Sequence, residues 1–173
     1  MRFGPLALMM IIAGGPAAAA SPLCAPADSF ETRSAIEALN AEFAWLIDHD
    51  HSDQVAELFV ADGQYTAPGK EVVGRDAISA AYRDRSARGI RTSRHIFTNL
   101  RLQQLANGRV GGTSIMLLFG EDGPPPHPAK PLGVTDYDDV YVCEHDGKWR
   151  YASRRVTPLF EDPDRKPVLL QAK

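Results

Sequence analysis

Cysteine is scarce in this chain: two in 173 residues, at Cys24 and Cys143. That excludes a dense disulfide framework, and no C-x-x-C or Cys/His spacing suggests a zinc site. The sequence leaves two outcomes open, one bridge joining a tail to the core in an oxidising compartment, or two separate thiols. An excess of basic charge is also missing. Lys and Arg number 19 against 22 Asp and Glu, a net charge of −3, with no basic stripe. Nucleic acid is therefore excluded as a partner class. No apolar run after the first twenty residues is long enough to cross a bilayer, and no internal repeat is present.

What is present first is an address. Met1–Ala20 has a basic start at Arg2, an apolar run from Leu6 to Ala13 and small residues at Ala18-Ala19-Ala20. This is the layout of a signal peptide with an A-x-A cleavage site, and the run is too short to span a membrane. The sequence thus predicts a periplasmic or secreted protein beginning near Ser21, with no membrane attachment after cleavage. Lipidation at Cys24 is disfavoured because Pro22-Leu23 stand where small residues are expected. The remaining chain of about 150 residues suits one domain with a real core. Residues 21–31 are expected as linker, 32–158 as the domain and 159–173 as a loosely held tail.

The domain divides by periodicity. From Thr32 to Asp48 apolar residues recur at helical spacing: Ile36, Leu39, Phe43, Leu46 and Ile47. A short second helix follows, with Ser52 as its expected cap and Val55, Leu58 and Phe59 inward. Asp62-Gly63 reads as a turn before short strands at Gln64–Ala67 and Glu71–Val73. A third helix spans Asp76–Arg88, ended by Gly89.

The period then becomes two. Thr92–Leu105 and Arg109–Phe119 form one hairpin across Asn107-Gly108; Val134–Glu144 and Trp149–Thr157 form another across Asp146-Gly147. Five prolines make Glu121–Pro131 a loop. Three helices followed by antiparallel strands give an α+β fold, a conical α+β barrel in which the helices pack on one face of a curved, mostly antiparallel sheet and leave a cavity between them.

Several short motifs in this order resemble the SnoaL-like branch of the nuclear transport factor 2-like superfamily. They are Trp45-Leu46-Ile47-Asp48, Leu58-Phe59-Val60-Ala61-Asp62-Gly63, Val73-Gly74-Arg75-Asp76-Ala77-Ile78, Thr92-Ser93-Arg94-His95-Ile96-Phe97-Thr98-Asn99, Tyr137-x-Asp139, and Asp146-Gly147-Lys148-Trp149-Arg150 followed by Arg154-Arg155-Val156. Scytalone dehydratase and hexachlorocyclohexane dehydrochlorinase of that branch use an Asp near the end of helix one and a His on the first long strand. Asp48 and His95 match those positions, so the resemblance implies a His95 base oriented by Asp48. It also implies Tyr65 as a pocket hydrogen-bond donor. Departures are plain. The dehydratase's second His falls where this chain has Gly112-Thr113-Ser114-Ile115-Met116, and Ile47 replaces its Tyr. The dehydrochlorinase's Lys falls near Phe43, and its late Arg corresponds to Arg154 or Arg155.

Independent features support the pair. Asp48 lies off the apolar stripe, one turn beyond Ala44 and two beyond Ala41, small residues that open a cavity edge. His95 alternates with Phe97 and Asn99 on one strand face. Phe43, Phe97, Asn99, Leu117 and Tyr137 are the expected substrate-binding residues. Tyr137 and Asp139 share a face, and Asp139 is expected to pair with an Arg of the neighbouring strand. Asp48-His49-Asp50-His51 spirals around a helix end and cannot converge on a metal; His127 and His145 read as surface.

The first functional expectation is therefore a lyase or isomerase using no metal or cofactor, acting on a small apolar or aromatic molecule. A non-catalytic binding module is the second. The third is a structural subunit resembling the small subunit of ring-hydroxylating dioxygenases, disfavoured by the signal peptide. A homodimer is expected, because Ile96, Leu100, Leu117 and Tyr141 would otherwise leave apolar area in water.

Overall fold

The computed structural model describes residues 24–87, 89–162 and 164; the signal-peptide segment and the last residues lie outside these. Helix α1 spans Phe30–Asp48, begun by the Ser29 hydroxyl accepting the Thr32 backbone N–H. Its stripe, Ile36, Leu39, Phe43, Leu46 and Ile47, is buried as the spacing predicts. A 3-10 helix follows at Ser52–Leu58 and α2 at Arg75–Ser86. Ser52 is not the cap of the short helix: His51 holds that position, and the buried Ser52 hydroxyl bonds the Ser86 hydroxyl instead.

Six strands form one open, mixed sheet in the order β2-β1-β6-β5-β4-β3. They are β1 Phe59–Ala67, β2 Lys70–Val73, β3 Arg91–Gln104, β4 Val110–Asp122, β5 Gly133–Cys143 and β6 Trp149–Glu161. Neighbours pair antiparallel except β1 with β6. The helices pack on one face, so the fold is α+β of the expected kind. Asn107 and Gly108 both take positive φ at the β3–β4 connection, as a tight hairpin requires. Several boundaries differ from expectation, β4 among them, which runs on to Asp122 where a loop from Glu121 is expected. Asp62-Gly63 lies within β1, at a register shift between Phe59 and Gln64, with Gly63 backed against the Phe59 side chain. Strand β6 continues past Pro158 to Glu161.

Cys24 and Cys143 form a disulfide that ties the segment before α1 to the end of β5. Tyr141, expected among the apolar positions left in water, is fully buried on the inner sheet face, its hydroxyl donating to Asp139 Oδ2 at 2.9 Å. Gly112 makes room for it, since a Cβ there would fall 2.7 Å from the Tyr141 ring.

Candidate active site

Asp48 is the last residue of α1, and His95 sits near the start of β3, so the packing of helix on strand brings them together. His95 Nδ1 lies 2.6 Å from Asp48 Oδ1, and their side chains are only 5% (Asp48) and 8% (His95) exposed. The carboxylate has two further donors: Ser93 Oγ at 2.7 Å to Oδ1 and the His95 backbone N–H at 2.8 Å to Oδ2. Burial alone would raise the Asp48 pKa. The hydrogen bond and charge of His95, with the Ser93 and backbone donors, outweigh it and hold the carboxyl below its usual range. An ionised carboxylate only accepts, so Nδ1 carries the proton and Nε2 keeps its lone pair. Burial lowers the His95 pKa; Asp48 opposes that, while Arg85 and Arg91 add to it. The imidazole is thus neutral near neutral pH, and able to accept a proton.

His95 lines an open cleft of about 470 Å³ with Asn40, Ala41 and Ala44 of α1, Phe97 and Asn99 of β3, and Ser114 of β4. That volume suits a small organic molecule. Asn99 enters it from a bulge in β3, at φ 55°.

Behind this wall sits a second buried pair. Arg154 is fully buried and grips Asp139 through Nε to Oδ1 at 2.9 Å and Nη2 to Oδ2 at 2.8 Å. Its guanidinium carbon lies 4.3 Å from the Phe43 ring centre, 5.1 Å from Phe97, 4.7 Å from Tyr137 and 4.0 Å from Tyr151. Arg154 also donates to Asn40 Oδ1 at 2.5 Å, and the Tyr151 hydroxyl donates to the same oxygen at 2.7 Å. Asp139 therefore does pair with an Arg of its neighbouring strand, and of the two candidates it is Arg154, while Arg155 is exposed.

The remaining sequence-derived residues divide. Phe97 and Asn99 line the cleft as expected, but Phe43 and Tyr137 do not: they are buried beside Phe97 in the aromatic cage around Arg154. Tyr65 is buried, its ring edge-on to those of Phe59 and Tyr82, and does not line the cleft; burial raises its pKa. Leu117 is corrected. It pairs with Ile96, one residue out of step with the Phe97–Met116 pair, and so lies on the outer sheet face. His49 and His51 stack on Trp45, at ring separations of 4.9 and 5.1 Å. Sequence reasoning missed Ser93, Asn40 and Ser114. Asn40 alone had a signal, as a polar residue on the buried face of an otherwise apolar helix.

The family model for the SnoaL-like domain matches residues 28–155. No curated protein matches in sequence. Among solved structures the chain is similar to a scytalone dehydratase-like protein of Novosphingobium aromaticivorans, with TM-score 0.63 and 22% identity over 73% of this chain and 83% of that one. It is similar to LinA, with TM-score 0.62 and 21% identity over 75% and 88%. A Catenulispora acidiphila protein in complex with S-DNPA gives TM-score 0.61 and 23% identity over 73% and 92%.

Proposed function

The chain belongs to the SnoaL-like domain family, and from that premise we propose that it is an exported lyase or isomerase for a small molecule, with His95 as general base and Asp48 as its orienter. The observation that carries this reading is the 2.6 Å contact between a buried, ionised carboxylate and a neutral imidazole on the wall of a ligand-sized cleft. Asp48 fixes the tautomer and compensates the charge that His95 gains on taking a proton. The reading needs no metal or cofactor. The apolar part of the wall, Ala41, Ala44, Phe97 and Leu100, favours an alicyclic or aromatic substrate. Similarity to a scytalone dehydratase-like protein and to LinA is consistent with it.

Metabolite profiling tests the function directly. A compound that accumulates in a deletion strain should disappear on complementation with the wild-type gene and persist with His95→Ala. Clearance by His95→Ala as fast as by wild type would sink the base assignment.

Export is supported by the signal-peptide layout and by the Cys24–Cys143 bond, which persists in oxidising compartments. Mass spectrometry from the native host should find an N-terminus near Ser21; a full-length cytoplasmic species would reject it. A homodimer through the outer sheet face is supported by Ile96, 47% exposed, beside the half-buried Ile115, Leu117 and Phe119. Light scattering should give twice the mature mass, and Ile96→Asp should reduce it to one.

A further inference from the structure

Arg85 is a cation that the base assignment leaves unused. On α2 the helically spaced Ile78, Ala81 and Tyr82 are buried, and Arg85 continues that face one turn later. The helix end is pinned on either side of it in sequence. The Tyr82 ring stands edge-on to Phe43 of α1 and Tyr65 of β1, and the Ser86 hydroxyl meets that of Ser52. Arg83, on the solvent side, bonds Ser79. Arg85 is half-buried and makes no hydrogen bond or ion pair among the described residues.

The charges around it are already committed. Arg91 lies on the inner face of β3, four residues before His95, with its guanidinium against Gly120, where a Cβ would fall 3.0 Å from Nη2. It is paired with Asp122 at 2.7 Å. Asp48 is taken by the His95 ring, the Ser93 hydroxyl and the His95 backbone N–H. Burial lowers the Arg85 pKa most, Tyr82 opposes that, and the Arg91 charge adds to it. A guanidinium keeps its proton regardless, so the cost stands as a charge without a counter-ion. Arginine is seldom withdrawn from water unless paired.

Resting on the reading of Asp48–His95 as the working site, we propose that Arg85 anchors an anion-binding subsite beside that pair, and that the small molecule taken there carries a carboxylate. The planar guanidinium fork matches a carboxylate through two parallel hydrogen bonds. A phosphate monoester brings about −1.5 to −2 charges and would need a second free cation, whereas Arg91 is held by Asp122. The cleft itself is walled by α1, β3 and β4 and lined by no Lys or Arg, with Glu37 among its residues. Arg85, reaching in from α2, supplies the positive charge that this wall lacks.

The subsite also bears on the base. The charged groups acting on His95 are Asp48 of α1, Arg85 of α2 and Arg91 of β3, with Glu37 of α1 among the residues of the cleft it lines. An anion held by Arg85 offsets one of the two cations that disfavour the imidazolium, so His95 becomes a stronger base once the ligand is bound.

The probes are 2-naphthoate and its neutral isostere 2-naphthamide. Titration calorimetry at low salt should show wild type binding the carboxylate about tenfold or more tighter, a tenfold ratio being about 1.4 kcal/mol. Arg85→Gln should lose that preference and bind the amide as before. Because it removes an unpaired charge, it should melt no lower than wild type. Arg85→Lys should keep part of the preference; His95→Gln and the exposed Arg94→Gln should keep all of it. By NMR, 2-naphthoate should raise the titration midpoint of His95 in wild type and leave it in place in Arg85→Gln. No preference in wild type, its survival in Arg85→Gln, or a clear fall in that variant's melting temperature overturns the subsite. Tighter binding of 2-naphthyl phosphate than of 2-naphthoate overturns the carboxylate. If the preference behaves as stated while His95→Ala clears the accumulated compound as fast as wild type, the base is rejected and the subsite stands. Clearance that needs His95, without any preference for 2-naphthoate, rejects the subsite and spares the base.

Discussion

Two buried carboxylates each hold a basic side chain against the inner face of the sheet, and the differences between the two pairs sort chemistry from scaffold. Asp139–Arg154 is wholly sealed, its cation caged by four aromatic rings and raised well above its ordinary pKa. Burial opposes that rise; Asp139 and the tyrosines around it overcome burial. A guanidinium so placed never gives up its proton, so the pair can position but cannot transfer. Asp48–His95 is nearly as buried, yet its base is a neutral imidazole that can take up and release a proton, and it borders the cleft. Between them stands Asn40, held by one pair and facing the space where the other would act. The same interaction type thus serves two ends, decided by which basic side chain is used and by what lies beside it.

The largest expected effect falls on rate and only at the first pair. Asp48→Asn keeps the shape but turns an acceptor into a group that can donate, favouring the wrong imidazole tautomer. Turnover of the compound found by metabolite profiling should drop by about 10²- to 10⁴-fold, the range of a positioned general base, with the melting curve little moved. A variant that loses stability but keeps its rate would invert the comparison.

At the second pair the effect should fall on stability. Asp139→Ala strands a fully buried guanidinium, and breaking such pairs costs about 3–5 kcal/mol. Urea denaturation measures it, and a loss under about 1 kcal/mol would show that the cage alone carries Arg154. Replacing both partners, as Arg154→Met with Asp139→Leu, should recover most of that stability, because neither charge is then buried unpaired. The double variant should still slow turnover, since Asn40, which lines the cleft, loses one of the two donors that aim it. Full activity there would mean that Tyr151 suffices.

Much of this was legible in the sequence, and what was not has physical reasons. The α1 stripe and both hairpins are local patterns that tertiary packing reinforces. Asp62-Gly63 is ordinary turn chemistry, but pairing of β1 with β6 carries the strand through it as an irregularity. Leu117 falls both among the expected cavity residues and among the outward apolar ones, because β4 is apolar on both sides and a period of two fixes alternation without saying which face is inward; pairing with Ile96 puts it outside. The Asp48–His95 contact spans 47 residues; local spacing cannot predict it, and the family resemblance pointed to it. Asn40, Ser114 and Arg154 draw their meaning from neighbours on other elements, which no single stretch of chain reveals.

The smallest expected effect is in pH dependence, and it separates the two pairs most cleanly. His95 has a folded-state pKa below its ordinary value of 6.5, because burial disfavours the imidazolium. Below 6.5 the unfolded chain therefore binds more protons at this residue than the native one, and stability rises with pH through that interval. The contribution is fully present above 6.5 and is lost as pH falls toward the folded value. One group gives a slope of at most about 1.4 kcal/mol per pH unit. Turnover should rise with pH through the same ionisation, because only the neutral ring accepts a proton, and then level off. Asp48 has the same sign at lower pH, since its carboxyl is held below 3.8. His95→Gln should flatten the stability slope just below 6.5, whereas Arg154→Met with Asp139→Leu should leave it intact. Chemical denaturation at a series of pH values decides this. A slope that vanishes with the Arg154 pair and persists without His95 would mean the titrating device lies in the scaffold, and the division drawn between the two pairs would fail.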